Sequence, residues 1–272
     1  EKDSELTHLG VVITLKVVAM KSASYLLAGG LDEKPGLSSF LIHEDGSLTH
    51  VQSTPDDDEI FTDGIIGMIS HRIDGRTFVV AGGLQDSGVS SFEIHEDGRF
   101  TNVHNVGDDL SRFLNGTYPV DGVTLADQHF ALVGHRHHRY YKRAGFIKNP
   151  NFVYHGNGVT VFKVDGAGAL QIQSVLGDGP GVNIAGQTRI ESLKLNEEQA
   201  LVFIGTRDGQ SIQLGLLDAQ GSLRPVGFKQ LDYGIYYAMA AVEIDGRSFV
   251  FAGSTDSPAL HAYEVKFPTE SR

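Results

Sequence analysis

Residues 24–51 read SYLLAGGLDEKPGLSSFLIHEDGSLTHV, and residues 76–103 read RTFVVAGGLQDSGVSSFEIHEDGRFTNV. Both segments carry AGGL, then SSF, then IHEDG, in the same order and at nearly equal spacing. A chain that repeats itself over this length is assembled from units that bury their apolar faces against one another.

The unit recurs three more times at lower fidelity. FALVG at 130–134 leads to GVTVFKVDGAGAL, LVFIG at 201–205 to SIQLGLLDAQGSL, and SFVFAG at 248–253 to LHAYEVKF. A further apolar run precedes each of these: ITLKVVAM, GIIGMISHRI, VDGVTLA, RIESLKL and YAMAAVEI. Each unit therefore offers four short strands joined by turns rich in Asp and Gly, in about fifty residues, which is the plan of a propeller blade. Composition agrees: 33 Gly and 8 Pro among 272 residues favour many turns over long helices.

The count predicts an all-β fold, a five-bladed β-propeller in one domain over 1–272. The blades fall at about 12–53, 64–106, 117–176, 187–230 and 235–267. The fifth unit stops after its third strand, while ELTHLGV at 5–11 resembles SLTHV at 47–51. The N-terminal strand is therefore expected to pair with the strand around His261 to Val265, complete the last blade and close the ring. Closure of that kind removes two unpaired sheet edges.

The segment AGGLQDSGVSSFEIHEDGRFTNVHNV and its counterpart in the first unit resemble the repeats of bacterial secreted propellers. These include lactonase-like propellers and the propeller modules of large calcium-binding repeat proteins. The resemblance implies the fold and a secreted or periplasmic location. A chain that opens on EKDSELTHLG without Met is likewise expected to be a mature or trimmed product.

A formal net charge of −12 argues against a general nucleic-acid or anionic-membrane surface, so neither partner is expected. With no cysteine, disulfides and thiolate chemistry are excluded. No apolar stretch reaches the ~18 residues that a membrane-spanning helix requires. The GxSxG, HExxH and phosphate-loop patterns are missing too, so conventional serine or zinc hydrolysis has no sequence support.

One loop breaks the regularity. The second and third strands of four units are joined by short loops, but in the third unit Gly134 to Gly158 read GHRHHRYYKRAGFIKNPNFVYHGNG. Five of the 22 Lys and Arg fall in this segment of an acidic protein, which makes a local field for anions. A long insertion in one repeat of an array commonly carries function. His135, His137, Tyr140 and Arg189 are the candidate catalytic groups, with Arg136, Tyr118, Tyr141, Arg143 and Tyr236 as candidate substrate contacts. The competing account is a solvated cap whose aromatic residues close the channel mouth.

Arg189 interrupts an apolar strand, where an unpaired buried charge is costly, so it faces the channel, grips a ligand or pairs with Glu191. Metal binding through His135 and His137 is weakened by the neighbouring arginines and by the lack of a ligand spacing. Acids at the loop face (Asp56, Asp63, Asp108, Asp178 and others) could serve calcium, although Asp is ordinary at turns. No cofactor is implied, and calcium or another divalent metal is the alternative. His43 and His95 recur with the Asp-Gly turns and are expected to be structural.

The function expected is an enzyme acting on an anionic, carbohydrate-type substrate by acid–base chemistry such as β-elimination. Arg would neutralise a carboxylate while His or Tyr moves the proton. The alternatives are a non-catalytic carbohydrate-binding or adhesive module and a metal-dependent lactonase-like hydrolase. The expected ligand is a small molecule or oligosaccharide, and the sequence leaves the oligomeric state open.

Overall fold

The computed structural model describes residues 7–31, 35–109, 111–135, 157–235, 238–254 and 259–266. Every regular element among them is a β-strand, and the strands form five separate antiparallel sheets. Sheet one contains β1 (Val11–Ala19), β2 (Ser24–Leu31), β3 (Gly36–Ile42) and β4 (Leu48–Pro55). Sheet two contains β5 (Ile65–Ile73), β6 (Arg76–Gly83), β7 (Gly88–Ile94) and β8 (Phe100–Gly107). Sheet three contains β9 (Thr117–Leu125), β10 (Gln128–His135), β11 (Gly158–Val164) and β12 (Leu170–Gly177). Sheet four contains β13 (Gln187–Lys194), β14 (Gln199–Thr206), β15 (Ser211–Asp218) and β16 (Leu223–Gln230). Sheet five has β17 (Ala238–Ile244), β18 (Arg247–Gly253) and β19 (Leu260–Val265) among the described residues.

Within each sheet the strands run in chain order as a meander, with the long 136–157 connection of sheet three as the exception to short links. The first strands of successive sheets pack against one another, β1 on β5, β5 on β9, β9 on β13 and β13 on β17. The sheets thus converge on their first strands and fan outward. The core lies between sheets rather than within one layer. Phe78, Val80 and Val89 of sheet two, for example, pack with Ala131, Phe162 and Val164 of sheet three.

Two parts of the repeated motif explain how one sheet seats on the next. A glycine one or two residues before the end of the second strand leaves room for the inner strand of the following sheet. A Cβ added at Gly29, Gly82 or Gly134 would stand closer than 3.0 Å to Ile65, Thr117 or Gln187 respectively. The glycine of the Asp-Gly turn is held at positive φ and lies over an aromatic ring of the preceding sheet. Gly98 covers Tyr25, Gly168 covers Phe78 and Gly221 covers Phe130. Positive φ suits glycine because it has no Cβ to clash with the backbone.

The expected closing strand is not formed by the residues that can be followed. Gly10 bridges Leu31 in parallel, Ser38 Oγ donates to the Thr7 carbonyl, and Leu9 packs on Ala28 and Phe40. Residues 7–10 therefore lie against sheet one; residues 5 and 6 lie outside the described residues. The physical reason is that sheet one has an apolar face turned away from sheet two, and Leu9 covers part of it. β19 pairs only with β18 among the described strands.

Candidate functional site

The convergence of the inner strands gathers charged groups that are far apart in sequence. β1 contributes Lys16, β9 contributes Asp121, and β13 contributes Arg189, Glu191 and Ser192. Each sits in an otherwise apolar strand, where a carboxylate or ammonium is tolerated only with compensation. Ser192 Oγ donates to Asp121 Oδ2 at 2.6 Å, which joins β9 to β13 through side chains.

Both acids resist ionisation, Glu191 in part through the charge of Asp121. Glu191 is pushed up to about 7, first by burial and then by the charge of Asp121, while Arg189 pulls it part of the way back. Asp121 is also raised by burial, against the opposing Ser192 hydrogen bond and the more distant Lys16 charge. Two half-buried carboxyl groups that share a field do not both ionise easily near neutrality. One of them can therefore hold a proton at a pH where an ordinary carboxylic acid has lost it, the property required of a general acid or base.

Between sheets two and three, buried His71 donates from Nε2 to the Phe130 carbonyl at 3.0 Å and lies 5.3 Å from the His129 ring. Burial lowers it to about 4, with the His129 charge acting in the same direction. It is a neutral packing residue at physiological pH, not an acid.

The loop face is held by carboxylates that bond backbone. Asp56 accepts from the Thr62 N–H and hydroxyl, at 2.9 and 3.0 Å. Asp108 accepts from Leu114 N–H at 2.7 Å, and Asp178 from the N–H and side-chain amide of Asn157 at 2.8 and 2.9 Å. These acids thus shape the loops. Asp86 accepts from Asp63 N–H at 2.7 Å and is pushed up to about 8, mainly by burial and then by Asp56. Among the described residues no group of three His, Cys, Asp or Glu is arranged to hold a metal ion. At the opposite end of the sheets, His43 and His95 bond Thr49 and Thr101 at 2.8 and 2.9 Å within their own hairpins.

Of the residues singled out from sequence, His135 ends β10 with 1% of its surface exposed, opposite Thr117 of β9. Tyr118 is buried on β9, and Arg189 is exposed on β13. Arg136, His137, Tyr140, Tyr141, Arg143 and Tyr236 lie outside the described residues. Sequence reasoning singled out Arg189 and saw Glu191 only as its structural partner; it missed Asp121 and Lys16. The signal was available: Asp121 interrupts VDGVTLA as Arg189 interrupts TRIESL.

No protein-family model matches the chain, and no curated protein sequence matches it. Solved structures do. A periplasmic gluconolactonase of Pseudomonas aeruginosa superposes with a TM-score of 0.64 at 18% identity, over 89% of this chain and 63% of that one. A protein from Lactobacillus plantarum gives 0.58 at 14% identity, over 94% of this chain and 70% of that one. An α-L-arabinofuranosidase from Lactobacillus brevis gives 0.51 at 8% identity, over 97% and 92%. The chain spans less than two thirds of the gluconolactonase it resembles. At these identities the likeness is one of fold, and that fold is the β-propeller.

Proposed function

We propose that the protein is a five-bladed propeller enzyme acting on a sugar-like, carboxylated substrate where its inner strands meet. The observation that carries this is Glu191, a carboxyl poised at about 7 beside Asp121 and within the field of the Arg189 guanidinium. Arg189 would bind the substrate carboxylate and acidify the adjacent C–H. Glu191 in its ionised form would take that proton, a C=C bond would form, and the neighbouring C–O bond would break. The oxygen leaves with the proton that Glu191 has taken, so the proton is moved within the site and the carboxylate is restored. The 136–156 segment supports an anionic substrate by its composition of histidines, tyrosines and basic residues.

A second reading, hydrolysis of a sugar lactone or glycoside, draws on the same two carboxyls. One protonated and one ionised acid can protonate a leaving oxygen and assist water. The names carried by the gluconolactonase and the arabinofuranosidase point in this direction.

The two chemistries call on opposite forms of Glu191. Elimination uses the base, so its rate should rise with pH through about 7 and its product should absorb in the ultraviolet. Hydrolysis of a glycoside uses the acid, so its rate should fall through the same pH. Glu191→Gln is expected to reduce turnover by about 10²–10⁴-fold while leaving ligand binding in place. Assay of oligouronides, sugar lactones and aryl glycosides with the wild type, Glu191→Gln and Arg189→Ala tests this. Unchanged turnover and binding in both variants would remove the site. Saturable oligosaccharide binding with no turnover of any substrate would make the protein a binding module instead.

A further inference from the structure

We propose that the site takes a substrate with two anionic groups, a diuronide or longer oligouronide, and that Lys16 binds the second carboxylate while Arg189 binds the first. The inference rests on the catalytic reading above and names the substrate class of that same site.

The strand registers place the charged groups at one level. Lys16 pairs with Leu27, Asp121 with Leu132 and Glu191 with Phe203. Ile69 pairs with Val80, and Ala240 with Phe251. Each partner stands two residues before the glycine of the second-strand motif, which is Gly29, Gly134, Gly205, Gly82 and Gly253 in the same order. Lys16, Ile69, Asp121, Glu191 and Ala240 therefore hold the same position in five sheets. The packing of β1 on β5, β5 on β9, β9 on β13 and β13 on β17 sets them side by side in one layer.

Nothing in the fold requires charge in this layer. Ile69 fills the position in sheet two at 6% exposure, inside the apolar junction with sheet three. Lys16 is half-buried at the equivalent place. Strand alternation puts it on the same face as Thr14 and Val18. Val18 packs with Met68 and Val79 of sheet two, and Thr14 stands beside Ile65 where Gly29 leaves space. Lys16 is thus on the face turned towards the other inner strands, and its charge is felt at both Asp121 and His71. Among the described residues it makes no hydrogen bond or ion pair, in a chain with 34 acidic residues. A half-buried ammonium in that position is costly unless a counter-charge comes from elsewhere.

Arg189 completes the pattern. It lies two residues before Glu191 and shares its strand face. Its field lowers Glu191, as the field of Lys16 lowers Asp121. The two cations bracket the acid pair, one from β1 and one from β13, with β5 and β9 between those strands. The two oxygens of a single carboxylate cannot serve anchors so placed, whereas carboxylates on adjacent sugars of one chain can. Hydrogen bonds from Lys and Arg to carboxylate are charge-assisted and strong. With Arg189 on the carboxylate next to the reacting C–H, Lys16 holds the neighbouring sugar. The C–O bond that breaks is then the one joining the two sugars.

Calorimetric titration of the full chain carrying Glu191→Gln, which is expected to bind without turnover, tests this with two ligands. One is a diuronide; the other is the same disaccharide with the carboxylate away from the reacting C–H reduced to an alcohol. The diuronide should bind about tenfold tighter or more. Adding Lys16→Ile, which copies Ile69, or Lys16→Gln should bring the two affinities within about twofold by weakening the diuronide alone. Lys16→Arg should keep the preference, and Arg189→Ala should weaken both ligands. Circular dichroism verifies that each variant is folded. A preference that survives both neutral variants overturns the role of Lys16. Equal binding of the two ligands before any change at Lys16 overturns the two-anion substrate and leaves the catalytic reading standing. Binding of neither ligand overturns both.

Discussion

Sheets one and two are built from nearly the same sequence, yet they occupy different environments. Ile65 and Met68 of β5 are 0% and 7% exposed, while Val12 and Leu15 at the matching places of β1 are 40% and 59% exposed. Both sheets form the same four-stranded meander with a bulge at the same point of the inner strand. Local sequence therefore settles the sheet, and the neighbour settles the burial. Energy in this fold resides at junctions between sheets, so equivalent substitutions should differ in cost according to the junction they touch.

The largest difference is expected where an inner strand enters the next sheet. Ile65→Ala removes a fully buried side chain from the contact with Gly29 and should cost about 2–5 kcal/mol. Val12→Ala, at the equivalent place, should stay within about 0.5 kcal/mol for the monomer. Urea unfolding of the two variants at low protein concentration measures both. Equal costs would mean that sheet one is covered in solution.

The receiving side gives the next effect. Gly82→Val drives a branched side chain into Thr117 and should destabilise by about 1–3 kcal/mol. Among the described residues Gly253→Val meets only Ala238, and it should cost less than about 1 kcal/mol as a monomer. Thermal unfolding distinguishes the two.

These contrasts explain what the sequence could and could not reveal. The strands and their grouping were legible because AGGL, SSF and IHEDG mark a strand end, a strand and a turn in every good copy. The fate of ELTHLGV was not. Its likeness to SLTHV reflects strand propensity, which says nothing about which sheet it joins; among the described residues Leu9 packs on Ala28 and Phe40 of sheet one. The acid pair at the inner strands was half legible. Arg189 stood out as a charge in an apolar strand, but Asp121 and Glu191 approach only because β9 and β13 pack together, a juxtaposition 70 residues apart in sequence. The insertion after β10 was conspicuous by composition, and composition alone does not place a side chain.

The junction between sheets one and two also makes stability depend on pH. Asp86 is pushed up to about 8 by burial and by Asp56, from an ordinary value of 3.8. The folded state therefore holds a proton that the unfolded chain has released between those two values. Because the native state binds more protons, stability falls as pH rises through that window and reaches its lower level above about 8. Asp86→Asn keeps an acceptor for Asp63 N–H but cannot ionise, so its unfolding free energy should lose this decline. Denaturant titrations at a series of pH values check it; an unchanged slope would assign the dependence to other groups.

The smallest effect should be a matched pair with no difference at all. His43 bonds Thr49, and His95 bonds Thr101, each within one hairpin and at nearly the same distance. Neither bond crosses to another sheet, and all four side chains meet solvent, where a hydrogen bond to protein replaces one to water at little gain. Thr49→Val and Thr101→Val should each change stability by less than about 0.5 kcal/mol, and by the same amount within error. Equality here, alongside inequality for Ile65→Ala and Val12→Ala, would separate what a unit does for itself from what it receives from its neighbour. A larger loss for Thr101→Val alone would show that the turn transmits the strain of seating Gly98 over Tyr25. The hairpin could then no longer be treated as independent of the junction it covers.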